Sequence, residues 1–147
     1  MAYYVVSACL AGHACRYNAT AKPCHEVTRL VKNGKAIPVC PELLAGLGVP
    51  RVSCEQKLGH VYTEDGRDVT EEFNNGAEKA LAEAIDAGCT AAVLKERSPS
   101  CGVTQIYDGT FSKRIISGQG IWAAKLKAAG FLLFTEEHLP PDAALQE

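Results

Sequence analysis

Short apolar runs rich in valine, isoleucine and leucine alternate along this chain with stretches whose apolar residues recur at helical spacing. "YYVVSA" (3–8) reads as a first strand, "HEVTRLVKN" (25–33) as a helix ended by Asn33-Gly34, and "AIPVC" (36–40) as a second strand. "PELLAGLG" (41–48) is a short helical turn opened by Pro41 at a favoured first position. The polar segment 51–69 is turn-rich, with Asp65-Gly66 expected as its hairpin tip. From Thr70, expected as the N-cap, the following helix carries Phe73, Ala77, Ala80, Leu81, Ala84 and Ile85 on one face and ends at Gly88. "CTAAVLK" (89–95) is the third strand, followed by the loop "SPSCG" (98–102) and an irregular piece, 105–120. A helix "IWAAKLKAA" (121–129) stopped by Gly130 and a fourth strand, "FLLFTE" (131–136), complete the pattern.

Strands alternating with helices predict an α/β fold: a single three-layer, Rossmann-like domain over residues 1–147, with a mostly parallel four-stranded sheet. A chain of 147 residues, 47% hydrophobic, is long enough to bury a core without disulfide staples. In such sheets sites collect beyond the carboxyl ends of the strands.

Fifteen basic residues against 17 acidic ones give a net charge of −2, and no basic stripe is present, so a nucleic-acid polymer is not an expected partner. No run approaches the roughly 18 apolar residues of a membrane span, and the first residues lack a basic leader region, so a cytoplasmic protein without membrane contact is expected. Oligomeric state is not readable. The seven cysteines, 9, 15, 24, 40, 54, 89 and 101, are odd in number and contain no C-x-x-C pair, which argues against a disulfide framework and against a zinc ribbon or a thioredoxin motif. On the strand map Cys9 follows strand one, Cys40 ends strand two and Cys101 lies in the loop after strand three. Three thiols from three strands therefore meet at one sheet edge. Cys89 opens strand three at the opposite edge and reads as a small buried apolar residue, while Cys15, Cys24 and Cys54 fall in connecting segments. Spacing alone leaves open whether the convergent thiols bind a cofactor or are ordinary packed cysteines.

In order along the chain, "VSACLAG" with "CRYNA", "IPVCPELLAGLGVPR", "EDGRDVTEEF", "AVLKERSPSCG", and "QIYDGTF" leading to "GQGIWAAKL" resemble a small bacterial domain family whose described members are thiouracil desulfidases. "RYNA" stands where that family usually has "RYDG", and residues 54–60 depart from its usual text. The resemblance implies a [4Fe-4S] cluster bound by three cysteines, Cys9, Cys40 and Cys101. It also implies a small-molecule thiolated pyrimidine as substrate, converted to uracil and sulfide without net redox change. A cubane with three protein thiolates leaves one iron open to a thiocarbonyl sulfur, which makes the reaction a metal-assisted hydrolysis.

Such a hydrolysis needs a proton carrier. Glu42, two residues after Cys40 at the start of a short helix, is the candidate, with burial expected to raise its pKa. Ser98 is the candidate catalytic partner and Ser100 the alternative. Lys95 and Arg97 lead into the cysteine loop and could offset cluster charge. The glycines of "SGQG" open the last helix, whose backbone N–H groups could receive a phosphate or a pyrimidine oxygen. The four histidines show no ligand spacing and read as surface or capping residues. Two other readings stand beside the desulfidase: a thiol-based metal-binding or redox module without turnover, and a metal-free small-molecule binding domain.

Overall fold

The computed structural model describes residues 3–141. Its main sheet has four strands, β1 (Tyr4–Ser7), β2 (Ala36–Val39), β5 (Ala91–Leu94) and β8 (Leu132–Thr135), in the order β2-β1-β5-β8 and parallel throughout. The two central strands are buried along their whole length, as expected of a parallel sheet covered on both faces. Val5, Ala92 and Leu94 point to one side, against Ala77, Ala80 and Ala84 of α3 (Thr70–Asp86) and Trp122 and Leu126 of α4 (Ile121–Ala128). Tyr4, Val6, Ala91 and Val93 point to the other, against Val27 and Leu30 of α1 (His25–Lys32). The three-layer α/β arrangement read from the sequence is the one observed.

Differences from the sequence reading lie in the connections. Residues 51–69 form an antiparallel ribbon, β3 (Cys54–Lys57) with β4 (His60–Thr63), whose two-residue turn is Leu58-Gly59. Both residues have positive φ, 52° and 83°, as a twist-compatible hairpin turn requires. Asp65-Gly66 makes a later reversal, with the Gly66 N–H on the Thr63 carbonyl. A second ribbon, β6 (Gln105–Tyr107) with β7 (Ile115–Ser117), occupies the piece read as irregular. Thr70 is the first residue of α3 and not its cap. Asp68 accepts its N–H at 2.9 Å, and its own hydroxyl oxygen accepts the Val61 N–H at 2.8 Å. Ile85 is exposed because it lies about 100° round the helix from the packed Ala84. Among the described residues no helix is long and apolar enough to cross a membrane.

Two close approaches set the site's position. A Cβ on Gly76, in the middle of α3, would lie 2.1 Å from the Pro41 carbonyl oxygen, so only glycine lets α2 (Pro41–Leu44), which follows Cys40, pack this tightly. A Cβ on Gly120 would lie 2.3 Å from the Ser100 carbonyl carbon. The N–H groups of Gly120, Ile121 and Trp122 donate to the carbonyls of Gly102, Pro99 and Ser100 at 2.7, 2.9 and 2.9 Å. The amides expected to receive a ligand oxygen are therefore taken by the cysteine loop itself.

That loop is gripped from within. Glu96 is 2% exposed, and its Oε1 accepts the N–H groups of Val103, Thr104 and Gln105 at 2.7, 3.0 and 3.2 Å, while Oε2 accepts the Thr104 hydroxyl at 2.9 Å. Burial pushes the Glu96 pKa up, but these donors outweigh it and hold the carboxyl below its ordinary value. The resulting stability is present above the ordinary carboxylate pKa and is lost as pH falls through the lowered folded one. Glu96→Gln replaces one accepting oxygen with an NH2 group that cannot accept, and it should cost about 2–3 kcal/mol at pH 7. In denaturant unfolding the gap between wild type and variant should narrow as pH falls below about 4. A gap independent of pH would refute this account.

Candidate active site

A cavity of about 380 Å³ opens beyond the carboxyl ends of β1, β2 and β5. Because β1 lies between β2 and β5, the chain winds outward in two directions from it, which places the crevice at a topological switch point. Cys9 enters from a 3₁₀ turn over Ala8–Ala11 directly after β1, Cys40 from the N-cap of α2 directly after β2, and Cys101 from the loop after β5. The three cysteines selected from the strand map line one cavity. Cys24 and Cys89 are not among its lining residues, but Cys15 and Cys54 are, which their place in connecting segments did not foretell. All seven cysteines are free.

Burial dominates the thiols. It pushes Cys9 and Cys54 each up to about 11, although Lys95 pulls Cys9 down and Arg51 pulls Cys54 down, and it pushes the fully enclosed Cys101 well above the ordinary thiol value. Ser7 opposes this at Cys101 by a hydrogen bond to the sulfur, and the same Ser7 hydroxyl accepts the Lys95 N–H at 2.9 Å. Cys15 and Cys40 lie side by side, with the Cys40 thiol donating to the Cys15 carbonyl at 3.9 Å, and the Cys15 side chain draws Cys40 below its ordinary value against its burial while Cys15 is raised. Among the described residues, no three His, Cys, Asp or Glu side chains surround one point closely enough to hold a single metal ion.

Glu42 is not the lone buried carboxylate that the sequence suggests. Its Oε1 accepts Nε and Nη2 of Arg51 at 3.1 and 2.5 Å, and Oε2 accepts the Ser100 hydroxyl at 3.0 Å. Arg51 is itself buried and also donates to the carbonyls of Gly48 and Cys15 at 2.8 and 3.0 Å. One guanidinium thus ties together the Cys15 loop, the segment after α2 and the carboxylate. Sequence reasoning missed Arg51, for which the one signal was its place at the end of "LGVPR".

Ser98 lines the cavity, and its Oγ accepts the N–H groups of Ser100 and Cys101 at 3.1 and 3.0 Å. Ser100 is 1% exposed and reaches the site through Glu42. Lys95 and Arg97 are not ordinary solvated strand ends. Lys95 is paired with Glu136 at 2.9 Å and Arg97 with Glu137, and both line the cavity. All four histidines are exposed.

Comparison with known proteins agrees with this geometry. The family model described as 2-thiouracil desulfurase matches residues 4–138. A protein of Bacillus subtilis (strain 168) called uncharacterized protein YbbK is 41% identical over 145 residues, covering 92% of this chain and 96% of its own. A solved structure of the [4Fe-4S]-dependent thiouracil desulfidase TudS superimposes with a TM-score of 0.90 at 41% identity, covering 99% of this chain and 97% of that one. A parallel α/β sheet with thiols and a paired carboxylate at its switch point, matched along almost its whole length, makes this chain a member of the 2-thiouracil desulfurase family.

Proposed function

We propose that this one-domain protein is a non-redox desulfidase that takes a thiolated pyrimidine to uracil and sulfide, with a [4Fe-4S] cluster held by Cys9, Cys40 and Cys101. The observation that carries the reading is the meeting of three thiols from three neighbouring strand ends in one cavity that also holds the Glu42 carboxylate. The donor set fits such a cluster: two buried thiols and one half-buried, with Ser7 at Cys101 and Cys15 beside Cys40 to tune the sulfurs. When bound, a cluster with three protein thiolates supplies a thiophilic Lewis-acid iron to the thiocarbonyl sulfur.

The chain's own residues supply the proton chemistry and the positioning. Arg51 occupies Oε1 of Glu42 with two donors, so the carboxylate is fixed and Oε2 is the oxygen with capacity to take a proton from water and return it. Ser98 accepts two backbone N–H groups, which fills its acceptor positions and leaves its hydroxyl hydrogen to be donated toward the substrate. The ion pairs of Lys95 and Arg97 brace the rim. A redox or single-metal storage module would need no carboxylate held in this way.

Anaerobically reconstituted protein, given thiouracil in ¹⁸O-labelled water, should form labelled uracil and an equal amount of sulfide with no added reductant. Strict dependence of turnover on a reductant would overturn the hydrolytic mechanism.

Alanine at Cys9, Cys40 or Cys101 should abolish or cripple cluster assembly, because a second iron then lacks a protein ligand. Cys15→Ala, Cys24→Ala, Cys54→Ala and Cys89→Ala should keep it. Iron and sulfide analysis distinguishes the two groups, and normal iron in Cys101→Ala would refute the ligand set.

Glu42→Gln should load iron as wild type does while turnover falls roughly 10²- to 10⁴-fold, the loss typical of missing general acid–base help. Turnover within a few-fold of wild type would remove Glu42 from the mechanism.

A further inference from the structure

We infer that the loop from Asp108 to Lys113 is a preformed aromatic wall of the substrate site, with the Phe111 ring as the surface on which the pyrimidine stacks; the inference rests on the desulfidase reading. Phe111 is half-buried and lines the cavity that the three thiols enter. Its backbone is in the left-handed region, with φ of 57°, and so is that of Lys113, at 64°. Bulky L-residues seldom adopt this conformation, and where it persists the surroundings must enforce it.

The surroundings here are specific. Glu55, on β3, is 8% exposed and spends one carboxylate oxygen, Oε1, on the N–H groups of Gly109 and Phe111, at 3.0 and 3.1 Å. Asp108 accepts the N–H and the hydroxyl of Thr110 at 2.9 and 2.6 Å. Gly109, with φ of 94°, passes so close to β3 that a Cβ there would lie 2.7 Å from the Gln56 carbonyl oxygen. The neighbouring Gln56 side chain donates to the carbonyls of Pro99 and Gln119 at 3.0 and 2.8 Å. One strand therefore holds the Phe111 loop through Glu55 and the Cys101 loop through Gln56, which fixes the ring relative to the sulfur-binding end of the cavity.

A thiolated pyrimidine is a flat π-system with polar edges. The thiols and Glu42 can address its edges, whereas an apolar ring can address only its face. Phe111 has no polar atom that would compete for the thiocarbonyl. A buried carboxylate oxygen spent on holding a phenylalanine in a disfavoured backbone conformation is costly for packing alone, since Phe111 is not fully buried. Held ready beside a ligand cavity, it lowers the ordering cost of binding.

The test uses cluster-loaded protein and two readouts, thiouracil steady-state kinetics and the inhibition constant of the product, uracil. Phe111→Leu keeps volume and loses the π-face, and it should raise both KM and the uracil inhibition constant roughly 5- to 100-fold, the range for losing one base–aromatic stack. Iron content should equal that of wild type, and kcat should fall by less than KM rises. Phe111→Tyr should return both constants to within about threefold of wild type. Glu55 also lines the cavity, and Glu55→Met, which removes the acceptor that holds the loop, should raise KM in the same direction. Unchanged KM and uracil inhibition in Phe111→Leu would overturn the inference, as would failure of tyrosine to rescue. If wild-type protein itself shows no turnover of thiouracil, the functional reading has failed instead.

Discussion

The carboxylate of Glu96 is the interaction on which the site depends most. A chain leaving the end of a buried parallel strand must satisfy its next amides without water, and here one side chain does so for three consecutive residues, 103–105, and for the Thr104 hydroxyl. Because Glu96 follows β5 almost directly, gripping residues seven to nine positions ahead folds the segment between them into a closed loop. Cys101 is inside that loop. The carbonyls of Pro99, Ser100 and Gly102 then face outward and accept the first amides of α4, so the helix caps itself on the cysteine loop. Each step requires the one before it: the loop shape supplies the carbonyls, and the carbonyls seat the helix that closes the core over Cys101.

A second buried charge organises the other wall. Arg51 and Glu42 are both shielded from solvent, and removing either partner would strand the other at a cost of about 3–5 kcal/mol, so the pair is held together whatever its net worth. Its effect is geometric. The guanidinium fork reaches the Cys15 carbonyl and Glu42, while Ser100 crosses from the Cys101 loop to the same carboxylate. The three segments that bring cysteines to the cavity, after β1, β2 and β5, are thus cross-linked through one carboxylate. Gly76 allows this by letting α2 sit against the α3 backbone.

The framework was legible in the sequence because it follows from local periodicity. The central strands within "YYVVSA" and "CTAAVLK" are buried on both faces, "AIPVC" is the half-buried edge strand beside them, and topology then carries Cys9, Cys40 and Cys101 to one edge. The ribbons were not legible for the opposite reason. Asp65-Gly66 is a strong local turn signal, yet the paired strands reverse at Leu58-Gly59, where a leucine accepts a left-handed backbone because cross-strand pairing of Cys54 to Lys57 with His60 to Thr63 outweighs it. Arg51, Glu55, Glu96 and Ser7 look like ordinary polar residues in a linear reading. Their roles come from backbone groups and side chains that are in several cases tens of residues away, such as Phe111 for Glu55 and Ser100 for Glu42. No periodicity encodes such a partner.

The charge balance of the cavity bears on what it can hold. Three of its cations are already matched, Arg51 by Glu42, Lys95 by Glu136 and Arg97 by Glu137. Paired charges lend little to ionising a neighbouring thiol, and burial accordingly keeps Cys9 at about 11 and Cys101 well above the ordinary thiol value. Arg16 also lines the cavity and pulls Cys9 down, yet burial outweighs it, and no imidazole stands beside the thiols, because the four histidines are all exposed. On the proposed ligand set, the positive charge that turns these thiols into thiolates comes from the bound metal, as it does where a metal deprotonates its own ligands. With Arg51 committed to Glu42, the carboxylate in turn keeps its place when the thiols change charge, so carboxylate and thiols can share one small cavity without one displacing the other.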